Sequence, residues 1–268
     1  MAEPLAGIEP LLPLLDGRLL GIFSDIDGTL APIVPRSEDA HITAKCRELL
    51  TALIESGARV ALITGRTMED ARGTADIEGV AFGANHGLEL WIDGRIETHP
   101  EVALYVEAVR RVLEETRDLG IGGLIVENKG PIIAFHYRNA GDQPAARVAI
   151  LEALQRSRSA RKFDVQEGRK VVELRPRLKV NKGTALTELA ARLEVAAVVC
   201  IGDDRTDIDM FRAAAELRSR GVVVATVAVR NEEATPQVLV AADYWVDGVE
   251  GVESLLESML RAIRSRSS

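Results

Sequence analysis

Two cysteines in 268 residues, Cys46 and Cys200, are too few for a disulfide framework. Cys200 lies in the apolar run at residues 196–201 and Cys46 on an expected helix, so both read as buried thiols. A reducing cytoplasm is the expected compartment. Basic residues are outnumbered, 33 Lys and Arg against 41 Asp and Glu, for a net charge of −8. That balance argues against bulk nucleic-acid binding and leaves room for a small anionic substrate, since a local site can be positive inside an acidic protein. The four histidines, His41, His86, His99 and His136, lack metal-ligand spacing, which excludes a zinc site. No apolar run approaches the roughly 20 residues that cross a bilayer, so no membrane span is expected. The N-terminal stretch has no basic start and is broken by Pro4, Pro10 and Pro13, so no signal peptide is expected either. No Gly-x-Gly-x-x-Gly follows the first expected strand, which disfavours a dinucleotide-binding domain.

What is present is ordinary globular material, 47% hydrophobic and 28% charged, long enough for a large domain with an insert. Apolar runs at residues 19–24, 59–63, 196–201, 222–229 and 244–246 read as strands. Helical spacing at 43–54, 183–193 and 207–216 separates several of them. Strands alternating with helices predict a doubly wound, Rossmann-like parallel sheet. The middle of the chain reads differently: helices at 101–119 and 144–154, and strand pairs at 124–128 with 132–137 and at 163–166 with 170–174. This predicts a smaller α+β module at residues 101–178, inserted into an α/β core formed by 1–100 and 179–268.

In an open α/β sheet, ligands bind outside the carboxyl ends of the strands. Here three expected strand ends carry reactive polar groups: Asp25 and Asp27, then Thr64, then Asp203 and Asp204. Lys182 precedes a helix, where its charge opposes the helix dipole and asks for an anionic partner. Each of these alone is a commonplace cap or loop residue; their joint order is not.

That order resembles the haloacid dehalogenase superfamily. Asp25-Ile26-Asp27-Gly28-Thr29-Leu30 looks like its first motif, and Thr64, Lys182 and Gly202-Asp203-Asp204-Arg205-Thr206-Asp207 match the second, third and fourth. The insert falls between the second and third, as in the branch with a large α/β cap. A narrower resemblance is to the trehalose-6-phosphate phosphatases. It rests on Asn85-His86-Gly87-Leu88-Glu89, Val126-Glu127-Asn128-Lys129-Gly130, His136-Tyr137-Arg138 and Glu173-Leu174-Arg175-Pro176. Ile208 departs from the acidic residue usual after Asp207.

The resemblance implies a phosphatase in which Asp25 attacks phosphorus and Asp27 serves as acid and then base. A phosphate dianion and an aspartate at 4 Å repel by about 4 kcal/mol per unit charge pair at an effective dielectric of 20, so the attack needs positive charge nearby. Carboxylates at Asp25 and Asp203 suit Mg²⁺, a hard cation that takes oxygen ligands. The resemblance adds the Asp27 carbonyl as a ligand, and Asp204 or Asp207 would hold metal-bound waters. Lys182 supplies further charge, and Thr64 with nearby amides would bind phosphate oxygens. The resemblance further implies that Arg66 and the turn of Asn85, His86 and Gly87 border the substrate. It also implies that Glu127, Lys129 and Glu173, with Arg138 and Arg175 as helpers, bind glucose hydroxyls.

Two alternatives stay open at this point: a phosphatase for sucrose phosphate or mannosyl phosphoglycerate, and an inactive regulatory binding domain. A phosphomutase fits less well, because it must keep the phosphoryl group from water. The presence of Asp25, Asp27, Thr64, Lys182 and Asp203 argues against the inactive domain. The length leaves no room for a fused synthase domain, so a functional link to a separate trehalose-6-phosphate synthase is the expected partnership.

Overall fold

The computed structural model describes residues 2–34, 39–168, 170–232 and 234–267. The chain divides into two compact units, one formed by Met1–Glu97 with Val180–Ser268 and the other by Thr98–Lys179.

In the larger unit, the strands in chain order are β1 (Glu3–Pro4), β2 (Leu20–Ser24), β3 (Arg59–Ile63), β4 (Ala81–Ala84), β5 (Glu89–Ile92) and β6 (Arg95–Thr98). Its helices to that point are α1 (Ala44–Glu55) and α2 (Met68–Ala75). Helix α1 starts where Thr43 accepts the Cys46 N–H at 3.1 Å, and it turns Cys46, Leu49, Leu50 and Leu53 inward. The other unit holds α3 (Val102–Glu115), β7 (Ile125–Asn128), β8 (Ile133–His136), α4 (Gln143–Arg156), β9 (Phe163–Gly168) and β10 (Val171–Pro176). The chain then returns to the larger unit through α5 (Lys182–Arg192), β11 (Ala197–Gly202), α6 (Asp207–Ser219), β12 (Val223–Arg230), α7 (Pro236–Ala241), β13 (Tyr244–Asp247) and α8 (Gly248–Ser267).

The large sheet has nine strands in the order β1-β13-β12-β11-β2-β3-β4-β5-β6. Strands β1 through β4 in that order pair in parallel, and β5 turns antiparallel to β4. From β2 the first half of the chain winds one way to β3 and β4, and the second half winds the other way from β11 to β12 and β13. Strand β2 (Leu20–Ser24) is buried along its whole length, as both faces of the sheet are covered. Alternate residues serve opposite cores. Ile22 joins Leu50, Leu53, Leu256 and Met259 on the α1 and α8 face, while Phe23 joins Leu186, Leu189, Met210 and Phe211 on the α5 and α6 face. Full burial of each such side chain stabilises by about 1.5–3 kcal/mol. Among the described residues, no helix is long and apolar enough to cross a membrane.

The structure adds elements that the sequence pattern does not announce: β1, the β4–β6 strands, α2, α7 and α8. Strand β4 (Ala81–Ala84) is short and made of small residues apart from Phe82. A Cβ placed on Gly83 would lie 3.2 Å from Ala185 of α5, so its lack of side-chain bulk serves close packing.

The smaller unit is a four-stranded antiparallel sheet in the order β7-β8-β10-β9. Ile133, Phe135, Val172 and Leu174 share one face with the apolar sides of α3 and α4. The pairing places Glu127 opposite Ala134, and Ala134 opposite Glu173, on the other face.

Candidate active site

Five neighbouring parallel strands of the larger unit end in polar residues: Asn231 after β12, Asp203 after β11, Asp25 after β2, Thr64 after β3 and Asn85 after β4. The order of winding reverses within this row, which is where an open α/β sheet leaves a crevice.

Its centre is three buried carboxylates. Asp25, Asp203 and Asp207 each offer an oxygen within 4.8 Å of the others, and they are 5%, 0% and 0% exposed. Lys182 opens α5 behind an Asn181–Thr184 capping box and sends its Nζ to Asp25 at 2.8 Å and to Asp207 at 2.7 Å. Asp207, the first residue of α6, also accepts the amides of Asp203 and Asp204, each at 2.9 Å. It thereby ties the loop after β11 to Lys182. Asp203 accepts Asn231 Nδ2 at 2.8 Å and the Thr29 hydroxyl at 3.3 Å. Gly28 adopts φ +79°, and a Cβ there would fall 2.2 Å from an Asp203 oxygen, so only glycine lets the β2 loop approach this closely. Asp204 stands outside the triad, half-buried, with Oδ1 accepting from the Arg205 amide.

Burial pushes the Asp25 carboxyl well above the usual carboxylate range; Asp207 adds to the effect and Lys182 opposes it. The Lys182 ammonium is stabilised in turn, because the attraction of Asp207 and Asp25 outweighs its burial. With all three carboxylates ionised, the one ammonium would leave two negative charges unbalanced in a buried place, the condition that burial of Asp25 resists and a bound cation would relieve. A divalent cation that prefers hard oxygen donors fits both that charge and that donor set.

Asp27 lies beside this cluster, with its side chain 43% exposed. Arg66 grips it with two bonds, Nε to Oδ2 at 2.8 Å and Nη2 to Oδ1 at 2.7 Å. Arg66 Nη1 reaches Thr74 of α2 at 3.1 Å. The Thr64 hydroxyl accepts the Arg66 amide at 3.2 Å and is buried, so its own proton can still donate to an anion.

The next strand end carries a backbone irregularity. Asn85, His86 and Gly87 take φ of +48°, +58° and +98° in succession. Left-handed residues other than glycine cost about 1–3 kcal/mol each, though Asn and His bear it better than most. Asn85 is almost fully buried and donates from Nδ2 to Glu89 at 3.3 Å.

In the smaller unit the expected sugar-contacting residues form one chain of charges. His136 Nε2 meets Glu127 at 2.8 Å. Lys129 Nζ lies 3.7 Å from Glu127 and 3.2 Å from Glu173, and Arg175 holds the other Glu173 oxygen through Nε at 2.8 Å. Glu127 is held below the ordinary glutamate range: its burial works upward, and the His136 bond and Lys129 charge outweigh it. Arg138 follows β8, and its backbone carbonyl accepts from Gln143 at 2.7 Å. Sequence reasoning did not single out Asn231, Thr29 or His136 for the places they hold here. Thr29 sits inside a motif, but only the folded register brings the other two to their partners.

These features define an α/β fold of the haloacid dehalogenase type, with an acidic crevice at the strand ends. A solved C-terminal domain of trehalose-6-phosphate phosphatase from Candida albicans shares the fold at a TM-score of 0.80 and 20% identity, covering 97% of this chain and 98% of that one. The trehalose-phosphatase family model matches residues 23–243, and the chain belongs to that family. Trehalose-phosphate phosphatase B of Arabidopsis thaliana is 32% identical over 76% of this chain and 58% of its own length. An uncharacterized glycosyl hydrolase of Mycobacterium tuberculosis is 37% identical over 82% of this chain and 17% of its own length. The chain thus spans less than two thirds of these curated relatives.

Proposed function

We propose that this chain hydrolyses trehalose 6-phosphate to trehalose and phosphate, with Mg²⁺ held by Asp25, Asp203 and the Asp27 carbonyl, and with Asp204 and Asp207 beside them. The observation that carries the reading is the buried Asp25, Asp203, Asp207 and Lys182 cluster at adjacent strand ends in a trehalose-phosphatase chain. Bound there, the cation would offset the two unbalanced charges and those of the incoming phosphate.

The Asp25 carboxylate attacks phosphorus and the bond from phosphorus to the sugar oxygen breaks. Asp27, as the carboxylic acid, gives its proton to that oxygen, leaving an aspartyl phosphate and free sugar. Asp27, now the carboxylate that Arg66 grips in the structure, takes a proton from water as the water oxygen attacks phosphorus. The bond to Asp25 breaks, and phosphate leaves. Lys182 holds one Asp25 oxygen and so fixes the orientation of the carboxylate. Thr64 and the amides of its loop receive phosphate oxygens, Arg66 borders them, and the Asn85–Gly87 turn lies behind that loop.

The smaller unit, taken with limits 101–178, supplies the sugar selectivity in this reading. Glu127, Lys129 and Glu173, assisted by Arg138, carry the donors and acceptors that glucose hydroxyls require. The substrate must come from glycosyl transfer onto a sugar phosphate, so a separate trehalose-6-phosphate synthase is the functional partner we propose. Cys46 and Cys200, both buried and free, fit a reducing cytoplasm.

The test is a panel of trehalose 6-phosphate, sucrose 6-phosphate, mannosyl phosphoglycerate and p-nitrophenyl phosphate, assayed with Mg²⁺ for released phosphate. Trehalose 6-phosphate should show the highest kcat/KM. A higher value for another sugar phosphate would replace the substrate, and inactivity on all four would replace the enzyme with a binding domain.

A further inference from the structure

We propose that the Asn85–Gly87 turn is a positioning device for the loop of Thr64, Gly65 and Arg66, and that His86 acts through Gly65 and does not read the sugar. The inference rests on the phosphatase reading above, though not on trehalose as the substrate.

Two backbone bonds fasten the turn to the loop. The Asn85 amide donates to the Arg66 carbonyl at 2.7 Å, and the His86 amide donates to the Thr64 carbonyl at 2.9 Å. Consecutive amides reach two carbonyls of one loop because Asn85 and His86 are both left-handed. The bonds bracket Gly65, whose amide and whose neighbour's hydroxyl face the phosphate in the proposed chemistry. The His86 ring then lies directly on Gly65: a Cβ there would fall 2.5 Å from both Cε1 and Nε2 of the ring. His86 is 8% exposed and Asn85 1%, so the turn has little surface to offer a ligand. Its third residue touches the other side of the site, since a Cβ on Gly87 would lie 2.9 Å from the Asn181 carbonyl. Asn181 caps the helix that begins with Lys182. One turn therefore sets the spacing between the Thr64 loop and the helix that carries Lys182, and its backbone conformation is retained because packing on both sides over-determines it.

The experiment compares Gly65→Ala, His86→Ala and the double variant on trehalose 6-phosphate and on p-nitrophenyl phosphate, with inorganic phosphate as the competitive inhibitor. Gly65→Ala forces the ring and the loop apart. A displacement of about 1 Å costs on the order of 100-fold in rate, so kcat/KM should fall by about that factor on both substrates and the inhibition constant of phosphate should rise. His86→Ala, which removes the ring, should lower both substrates equally and by less. Adding it to Gly65→Ala should restore about tenfold of the loss, because the clash is gone. If the double variant recovers nothing, the ring on Gly65 is not the positioning contact and the inference fails. If His86→Ala harms trehalose 6-phosphate and spares the aryl phosphate, His86 reads the sugar and the inference fails. Should Gly65→Ala not fold, His86→Ala alone decides through that substrate ratio and the phosphate constant. A chain that ignores trehalose 6-phosphate but hydrolyses the aryl phosphate defeats the sugar reading and still decides this one, since each readout needs only a phosphate monoester.

Discussion

The two units each gather acidic and basic side chains, but they balance them differently. At the strand ends of the larger unit, Asp25, Asp203 and Asp207 face one ammonium, Lys182, in full burial. On the face of the smaller sheet away from α3 and α4, Glu127 and Glu173 meet Lys129 and Arg175, with His136 beside them, and the acids and bases match. A buried cluster short of positive charge is unstable on its own and suits a cation. A self-neutral cluster, partly open to water, can exchange its hydrogen bonds for those of neutral hydroxyls with no change in net charge. Carboxylates and cationic side chains thus suit a divalent cation in one unit and, in the proposed reading, neutral sugar hydroxyls in the other.

The sharpest way to break this comparison is at the nucleophile. Asp25→Asn should cost on the order of 10⁴-fold or more in kcat on every phosphate ester, as removal of a nucleophile does elsewhere. The chain should stay folded, because the change preserves volume and lessens repulsion among the buried carboxylates. Phosphate release from trehalose 6-phosphate and p-nitrophenyl phosphate measures the first point, and circular dichroism the second.

Glu127→Ala and Glu173→Ala probe the other side of the comparison. Each leaves charged neighbours without their partner, and lost or unpaired polar contacts are worth roughly 1–3 kcal/mol. The expected loss is about 10- to 100-fold in kcat/KM for trehalose 6-phosphate, with the aryl phosphate changed by no more than a few fold. An equal loss on both substrates would make these glutamates supports of the fold.

Asn231→Ala should act chiefly through the metal, since its longer bond, 3.3 Å to the Gly28 carbonyl, is the weaker of its two. It removes the 2.8 Å donor that orients Asp203, and losing such a support weakens metal affinity by about 10- to 100-fold. The Mg²⁺ concentration for half-maximal turnover should rise by that factor, with KM for substrate little changed at saturating metal.

The smallest expected effect is on acid stability. Glu127 sits below its ordinary range in the folded chain, so its contribution is present above its unfolded pKa and lost as pH falls through the folded one. Thermal midpoints between neutrality and pH 3 should fall less steeply for Glu127→Gln than for the unchanged chain. Identical slopes would place the Glu127 contacts at the surface in effect.

Much of this arrangement is legible in the sequence because it depends on local pattern. An apolar run that stops at Asp25-Ile26-Asp27-Gly28 can end only in a polar loop, and β2 runs Leu20–Ser24 with the carboxylates just beyond it. Strand β4 was not legible: its four residues include Ala81, Gly83 and Ala84, small for packing against α5, and they leave no apolar period to read. Helix α8 was masked by Gly248 and Gly251 in its first turn. Asn231 follows β12 as many asparagines follow strands; its role exists only because β12 lies beside β11 in the sheet and brings it to Asp203. His136 belongs to a motif, yet its bond to Glu127 follows from antiparallel register and not from spacing. Arg66 was expected to border the substrate, and its bidentate bond to Asp27 spans 39 residues of sequence.

The most direct test of the charge argument is the thermal midpoint as a function of Mg²⁺ concentration, measured for the unchanged chain and for Asp203→Asn. Ligand at a hundredfold excess over Kd adds about 2.7 kcal/mol, which for a chain of this size raises the midpoint by roughly 5 °C or more. The account predicts that rise in the unchanged chain, with its turnover lost in excess chelator, and a flat response in Asp203→Asn. No rise in the unchanged chain, or the same rise in both, would contradict it.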